Sequence, residues 1–264
     1  QEVPLLSRVG SLLQNLSWPL DEASLRRLQQ KYPGRFDPYI LEKLGTGLRE
    51  EKSSPEARQI LDLIHILLAC GDRQASRKAF EQLLSSIAPP APERVFAHLG
   101  LAELSRSSGP SQTDPHILNL LREVEQLSPL DAVTSLWDSA RWLVRLERPE
   151  VMPLLRNLGN QIHRLSSKTH FAQLTLLAWV LEPKSTPSPA IALAHMMLPE
   201  NLGSLRGALD WLLPKLLELG LKDPALTQIV TRLCRQEPQV LAAALREASL
   251  PVTSRLFVAQ ALED

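Results

Sequence analysis

Six histidines and two cysteines are the residues from which this 264-residue chain would build a metal centre or a nucleophilic site. None of the histidines forms a metal-binding pair. His65 lies in the most apolar run of the chain, and His163 and His170 have no cysteine or carboxylate set at zinc-ligand spacing around them. Gly45-Thr46-Gly47 lacks both a preceding strand and a following lysine, so it is a helix stop and not a phosphate loop. Glu50, Glu51, Glu147 and Glu150 fall at helix ends or in loops, where a solvated carboxylate is the ordinary outcome. Spatial triads leave no fixed spacing, so a Ser-His-Asp or Cys-His site stays open as a reading, with nothing in this chain pointing to one. The expectation is a protein that is not an enzyme and needs no cofactor and no metal.

Residues suited to binding are easier to find. Arg26, Arg27, Lys31 and Arg35 form the most basic local cluster, either a solvated helix face or a docking point for an acidic partner. Arg141, Arg145 and Arg148 rise along one side of a helix, diluted by Asp138 and Glu147. Thr186-Pro187 and Ser188-Pro189 are minimal proline-directed phosphorylation motifs in a loop from Pro183 to Pro189. In the last helix, with Leu256 at zero, Val252, Ala259 and Leu262 fall near about −40°, −60° and −120°, which centres a buried stripe at about −60 to −80°. Phe257 falls near about +100°, almost opposite. It either packs under an extension of the chain or stands exposed as an anchor for a partner, with Thr253, Arg255 and Gln260 around it.

The elements that carry these residues follow from one well-marked hairpin, Ser128 to Leu165. Ser128 caps a helix, Pro129 occupies a first-turn position where a missing N–H costs nothing, and Asp131 sits beside the positive end of the helix dipole. Leu130, Val133, Trp137, Ala140 and Val144 then recur at helical spacing. After Arg148-Pro149 a second stripe follows, made of Val151, Leu155, Leu158, Ile162 and Leu165. Neither helix can bury its stripe alone, so other hairpins must stack on this one. Pro55, Pro115, Pro129, Pro149, Pro224, Pro238 and Pro251 each precede an amphipathic run and start helices instead of breaking them. Hairpin starts near residues 55, 92, 129, 168, 202 and 237 give intervals of about 34 to 39 residues, the range of helical-pair repeats.

The fold predicted is therefore all-α, an elongated and curved α-solenoid of antiparallel HEAT/armadillo-like pairs in which each layer touches only its neighbours. One repeat domain is expected over 1–264, with 1–54 as N-terminal helices capping the array and 55–264 as about five to six pairs.

Composition agrees. Hydrophobic residues make up 44% of the chain, aromatic residues 5%, and only 11 glycines are present, which favours helix over sheet. Basic and acidic residues balance at 29 each, so no global field draws the chain to nucleic acid or anionic lipid. A nucleic-acid-binding helical repeat using the arginine ridges is the alternative reading. Cys70 and Cys234 lie far apart within helical runs, as buried free thiols of a reducing compartment do. No apolar span approaches the roughly 20 residues of a membrane helix. The chain opens at Gln1, which suggests a part of something longer.

Two stretches carry a family resemblance. Pro224-Ala225-Leu226-Thr227 through Leu250-Pro251-Val252-Thr253-Ser254-Arg255-Leu256-Phe257-Val258-Ala259-Gln260-Ala261-Leu262, with Leu136-Trp137-Asp138-Ser139-Ala140-Arg141-Trp142-Leu143, resemble the C-terminal domain of the Fanconi anaemia complementation group E family. The resemblance implies a stack of helical pairs. It also implies a nuclear, non-enzymatic adaptor in a ubiquitin ligase complex for DNA interstrand crosslink repair. Such an adaptor joins the group C subunit to the group D-two substrate and promotes its monoubiquitination. A substrate-contact surface near the C-terminal end gives Phe257, with Arg255, Gln260 and Thr253, a role. The basic cluster Arg26, Arg27, Lys31 and Arg35 and the first helices become candidates for the group C side.

Overall fold

Helices account for the regular structure throughout the described residues, and no strand occurs among them. The structure, a computed structural model, describes residues 73–105, 115–146, 149–184, 186–219, 222–236 and 256–259, together with Gln30. Contacts group the chain into two compact units, Gln1–Pro89 and Pro90–Asp264. Their boundary falls in the proline-rich linker Ala88-Pro89-Pro90-Ala91-Pro92.

In the first unit the described helix is α1, Arg73–Ser86. Ser76, Ala79, Phe80 and Leu83 are its buried residues, the spacing of a single helix face, and Phe80 and Leu83 are fully enclosed.

The second unit carries α2 (Pro92–Ser105), α3 (Pro115–Gln126), α4 (Pro129–Asp138), α5 (Ala140–Leu146), a 3-10 turn at Pro149–Val151 and α6 (Met152–Leu165). After these come α7 (Lys168–Leu181), α8 (Ala190–Met196), α9 (Leu202–Arg206), α10 (Leu209–Leu219) and α11 (Pro224–Gln236). Proline is the first residue of α2, α3, α4, α11 and the 3-10 turn. Its fixed φ suits a first turn, and the N–H it lacks is one that no intrahelical carbonyl would accept. At α4 the cap is the one expected: the Asp131 amide donates to Ser128 Oγ at 3.2 Å, and the Ser128 hydroxyl donates to the Asp131 carboxylate at 2.7 Å. Pro55, Pro238 and Pro251 lie outside the described residues.

Helix α7 is the element on which the unit converges. It packs against α4, α5, α6, α8 and α10. Its sequence accounts for that place, since Ala172, Leu174, Leu176, Leu177, Trp179 and Val180 leave almost no polar side and all are buried. Helix α2 is similarly enclosed, by α3, α4 and α5, and Phe96 meets Trp142 edge-to-face with ring centroids 6.2 Å apart.

The structure departs from the expected layering in three places. The first hairpin helix is not continuous to Val144. It breaks at the buried Ser139, whose amide bonds back to Ser135 and Trp137 carbonyls, and the helical phase restarts at Ala140. Trp142, Leu143 and Leu146 then face inward while Val144 is half-buried and Leu130, at the outer end, is exposed. Second, the stretch that follows the hairpin start near residue 202 is two helices with a turn at Gly207-Ala208, and Pro214 removes one backbone donor within the second. Third, layers reach past their neighbours. Trp137 of α4 meets Trp211 of α10 edge-to-face at 5.1 Å, and its indole N–H points to the Ser204 carbonyl at 3.4 Å. Two hairpin steps separate those tryptophans in sequence, so this contact skips a layer.

Candidate interaction surface

The terminal turn Leu256–Ala259 is helical, and it carries the one described member of the expected partner-binding set, Phe257. Thr253, Arg255 and Gln260 lie outside the described residues, as do Arg26, Arg27, Lys31 and Arg35. Packing selects a different face of this turn from the one the periodicity suggests. Val258 is 2% exposed, Leu256 is 58% exposed, Ala259 is exposed and Phe257 is half-buried. The expectation that Leu256 and Ala259 line the core is therefore overturned. The run is apolar at Leu256, Phe257, Val258 and Ala259 in succession, so its pattern fixes no unique phase, and it is Val258 that is buried. Leu256 becomes the large apolar side chain offered to solvent, with Phe257 at its border.

A second exposed apolar edge stands at the turn between α6 and α7. Leu165, expected in a buried stripe, is 53% exposed because it is the last residue of α6 and the chain leaves the layer at Ser166. Phe171 is 46% exposed, and its ring lies 6.2 Å from that of His163. From Val151 to Leu181 the sequence holds Arg156, Arg164 and Lys168 but no aspartate or glutamate, so this edge is flanked by cations on its own hairpin. Arg156 is bonded to Glu182 at 3.2 Å. On α8, Ile191 is 87% exposed, opposite the buried Leu193. Sequence reasoning passed over Phe171 and Ile191. A helical wheel of α8 contains the signal for Ile191, since Ala192, Leu193 and Met196 already define its inner face.

Several of the described histidines and the described cysteine sit within the packing. His98 is buried on α2 beside His116, with ring centroids 5.8 Å apart. Its pKa is lowered to about 4 by burial, by His116 and by Arg94. Glu123 lies 3.9 Å from His98 Nε2, a distance at which an ion pair would form if the imidazole were charged. Burial, with His116 and Arg94 beside it, keeps it neutral, and Glu123 bonds Arg94 instead, at 2.5 Å. His170 lies 2.7 Å from Ser167 Oγ through Nδ1 and 3.4 Å from Thr134 Oγ1 through Nε2, which ties the start of α7 to α4. Burial pushes the Cys234 thiol up to about 11, far from a reactive thiolate. Cys70 and His65 lie outside the described residues. Of the arginine ridge, Arg141 is half-buried with its guanidinium 5.9 Å from the Trp142 ring, Arg145 is exposed, and Arg148 lies outside the described residues.

Among the described residues no group of three or more His, Cys, Asp or Glu side chains is placed to hold a metal ion. No helix among them is long and apolar enough to cross a membrane.

Over the described residues these features define a helical protein with large apolar side chains displayed at helix ends. The chain matches no protein-family model, no curated protein and no solved structure.

Proposed function

We propose that the chain is a non-enzymatic adaptor, an α-solenoid of helical pairs that binds other proteins by surface complementarity. The sequence resemblance supplies the setting. It is that of a nuclear Fanconi anaemia core complex subunit, bridging the group C protein and the group D-two substrate so that the latter is monoubiquitinated during crosslink repair. The reading is supported by the pairing of successive helices α2 with α3, α6 with α7 and α7 with α8. One observation carries it: the C-terminal turn is pinned by the buried Val258 while Leu256, 58% exposed, projects from it beside Phe257. An apolar side chain held on an anchored helical turn has little conformational freedom left to lose when a partner covers it, which is how interface anchors gain affinity.

The test is the affinity of the chain for purified group D-two protein, measured for wild type, Leu256→Ala and Phe257→Ala with thermal melting of each. Leu256→Ala is expected to lose at least about tenfold in affinity, about 1.4 kcal/mol, at an unchanged melting temperature. Phe257→Ala is expected to lower both, because the ring is half-buried. Wild-type binding with neither variant impaired would remove this turn from the interface. Absence of wild-type binding would defeat the substrate-contact assignment and make the group C protein the partner to test.

A further inference from the structure

The loop joining α7 to α8 contains two proline-directed motifs, Thr186-Pro187 and Ser188-Pro189, and the structure treats them differently. Thr186 is half-buried, and its hydroxyl donates to the Glu182 carbonyl at 2.9 Å, near the Ala178 carbonyl at 3.4 Å. It thus helps close the C-terminal end of α7, whose last carbonyls have no intrahelical donor. Ser188 is exposed, and its hydroxyl donates outward to Asp223 Oδ2 at 2.5 Å.

Asp223 is the residue immediately before α11, in the position that caps the helix. Its Oδ1 accepts the amide N–H groups of Ala225 at 3.0 Å and Leu226 at 3.3 Å, which are among the donors a helix start leaves unsatisfied. One carboxylate therefore caps α11 with one oxygen and holds the α7–α8 loop with the other. The Ser188 hydrogen bond and the two amides keep that carboxyl below its ordinary pKa, so it is ionised at neutral pH.

We propose that Ser188 is a phosphoacceptor for a proline-directed serine/threonine kinase, and that its phosphorylation uncaps α11 by setting a phosphate against the Asp223 carboxylate. The inference stands independently of the adaptor reading. In the transfer, Ser188 Oγ forms a bond to the γ-phosphorus of ATP and the bond to the β–γ bridging oxygen breaks. ADP leaves, and the hydroxyl proton passes to a base of the kinase. The product replaces a donor by a group of charge about −1.5 to −2 with acceptor oxygens only. A hydrogen bond becomes a like-charge contact, and the carboxylate must swing away from the loop and from the Ala225 and Leu226 amides. Because α11 packs against α8, the disturbance enters the seam between these two helices. Pro189 is buried at the start of α8, so the kinase must draw the loop off that contact, a local opening of the kind exposed loops undergo readily.

The experiment incubates the full chain with ATP and a cyclin-dependent or mitogen-activated kinase, maps the phosphorylated residue by tandem mass spectrometry, and follows amide hydrogen exchange in α11. Ser188 is expected to take the phosphate, and Ser188→Ala to lose the label at this loop. Exchange at Ala225 and Leu226 should rise about tenfold on phosphorylation, as expected when a cap is released. Asp223→Asn removes the like charge and should show a much smaller increment between its unmodified and phosphorylated forms. Labelling of Thr186 instead of Ser188, no labelling in the loop, or a phosphorylated Ser188 that leaves exchange in the first turn of α11 unchanged would each overturn the proposal.

Discussion

Ser166 ends α6 in the left-handed conformation, with φ 55° and ψ 24°, and is the only non-glycine residue with positive φ among those described. A Cβ in this region crowds the following carbonyl, which is why glycine is the usual residue just past a helix. Ser166→Gly is expected to stabilise the protein by about 0.5–1 kcal/mol, and Ser166→Val to destabilise it by about 1 kcal/mol or more. Urea unfolding midpoints for the two variants check both signs. Gly159 presents the reverse case. It lies within α6, and a Cβ added there would meet nothing within 4 Å. Gly159→Ala should therefore raise stability by about 0.5–1 kcal/mol, the cost of an interior helix glycine, with no compensating clash. A lower midpoint for Gly159→Ala would mean that the helix needs its flexibility there.

Between elements, the α2–α3 contact carries a pH dependence. His98 holds its proton only below about pH 4 when folded but below about 6.5 in the unfolded chain. Between those values the unfolded chain binds the extra proton, so stability rises with pH across the window. The contribution is complete above about pH 6.5 and lost on descending to about pH 4, and its size is about 3 kcal/mol from the separation of the two pKa values. Unfolding midpoints of wild type and His98→Leu between pH 4 and 7 test this. The variant should flatten the profile in that interval. A profile as steep as that of the wild type would assign the slope to carboxylates elsewhere.

For the whole molecule, the division at the proline-rich linker predicts that residues 90–264 carry their own cooperative core. The internal packing of that unit, with α7 surrounded by five helices and Trp137 set against Trp211, supplies the contacts a domain needs to fold alone. Expressed by itself, this portion should keep a helical circular dichroism spectrum and melt in a single transition. A broad, featureless melt would show that its core depends on residues 1–89. The exposed apolar side chains belong to this scale too, because Leu256, Leu165, Phe171 and Ile191 are exposed only by virtue of what the other helices leave uncovered.

Much of this architecture is legible residue by residue. The prolines at 92, 115, 129 and 224 announce helix starts, Ser128 and Asp131 announce a cap, and the stripe Val151, Leu155, Leu158, Ile162 announces a buried face. Each depends on interactions within a few residues, so local sequence determined them. Tertiary structure decided the rest. Whether Ser139 would bend a helix, whether Val258 or Leu256 would turn inward, and whether Trp137 would reach Trp211 depend on which surfaces meet across the unit. The candidate site divides along the same line. The helical phase that set Phe257 opposite the buried stripe did not hold, and the exposure of Leu256 and the Ser188–Asp223 contact required the packed chain. A helical period says which residues share a face, but several apolar faces on one short helix compete for burial, and only the neighbouring helices choose among them.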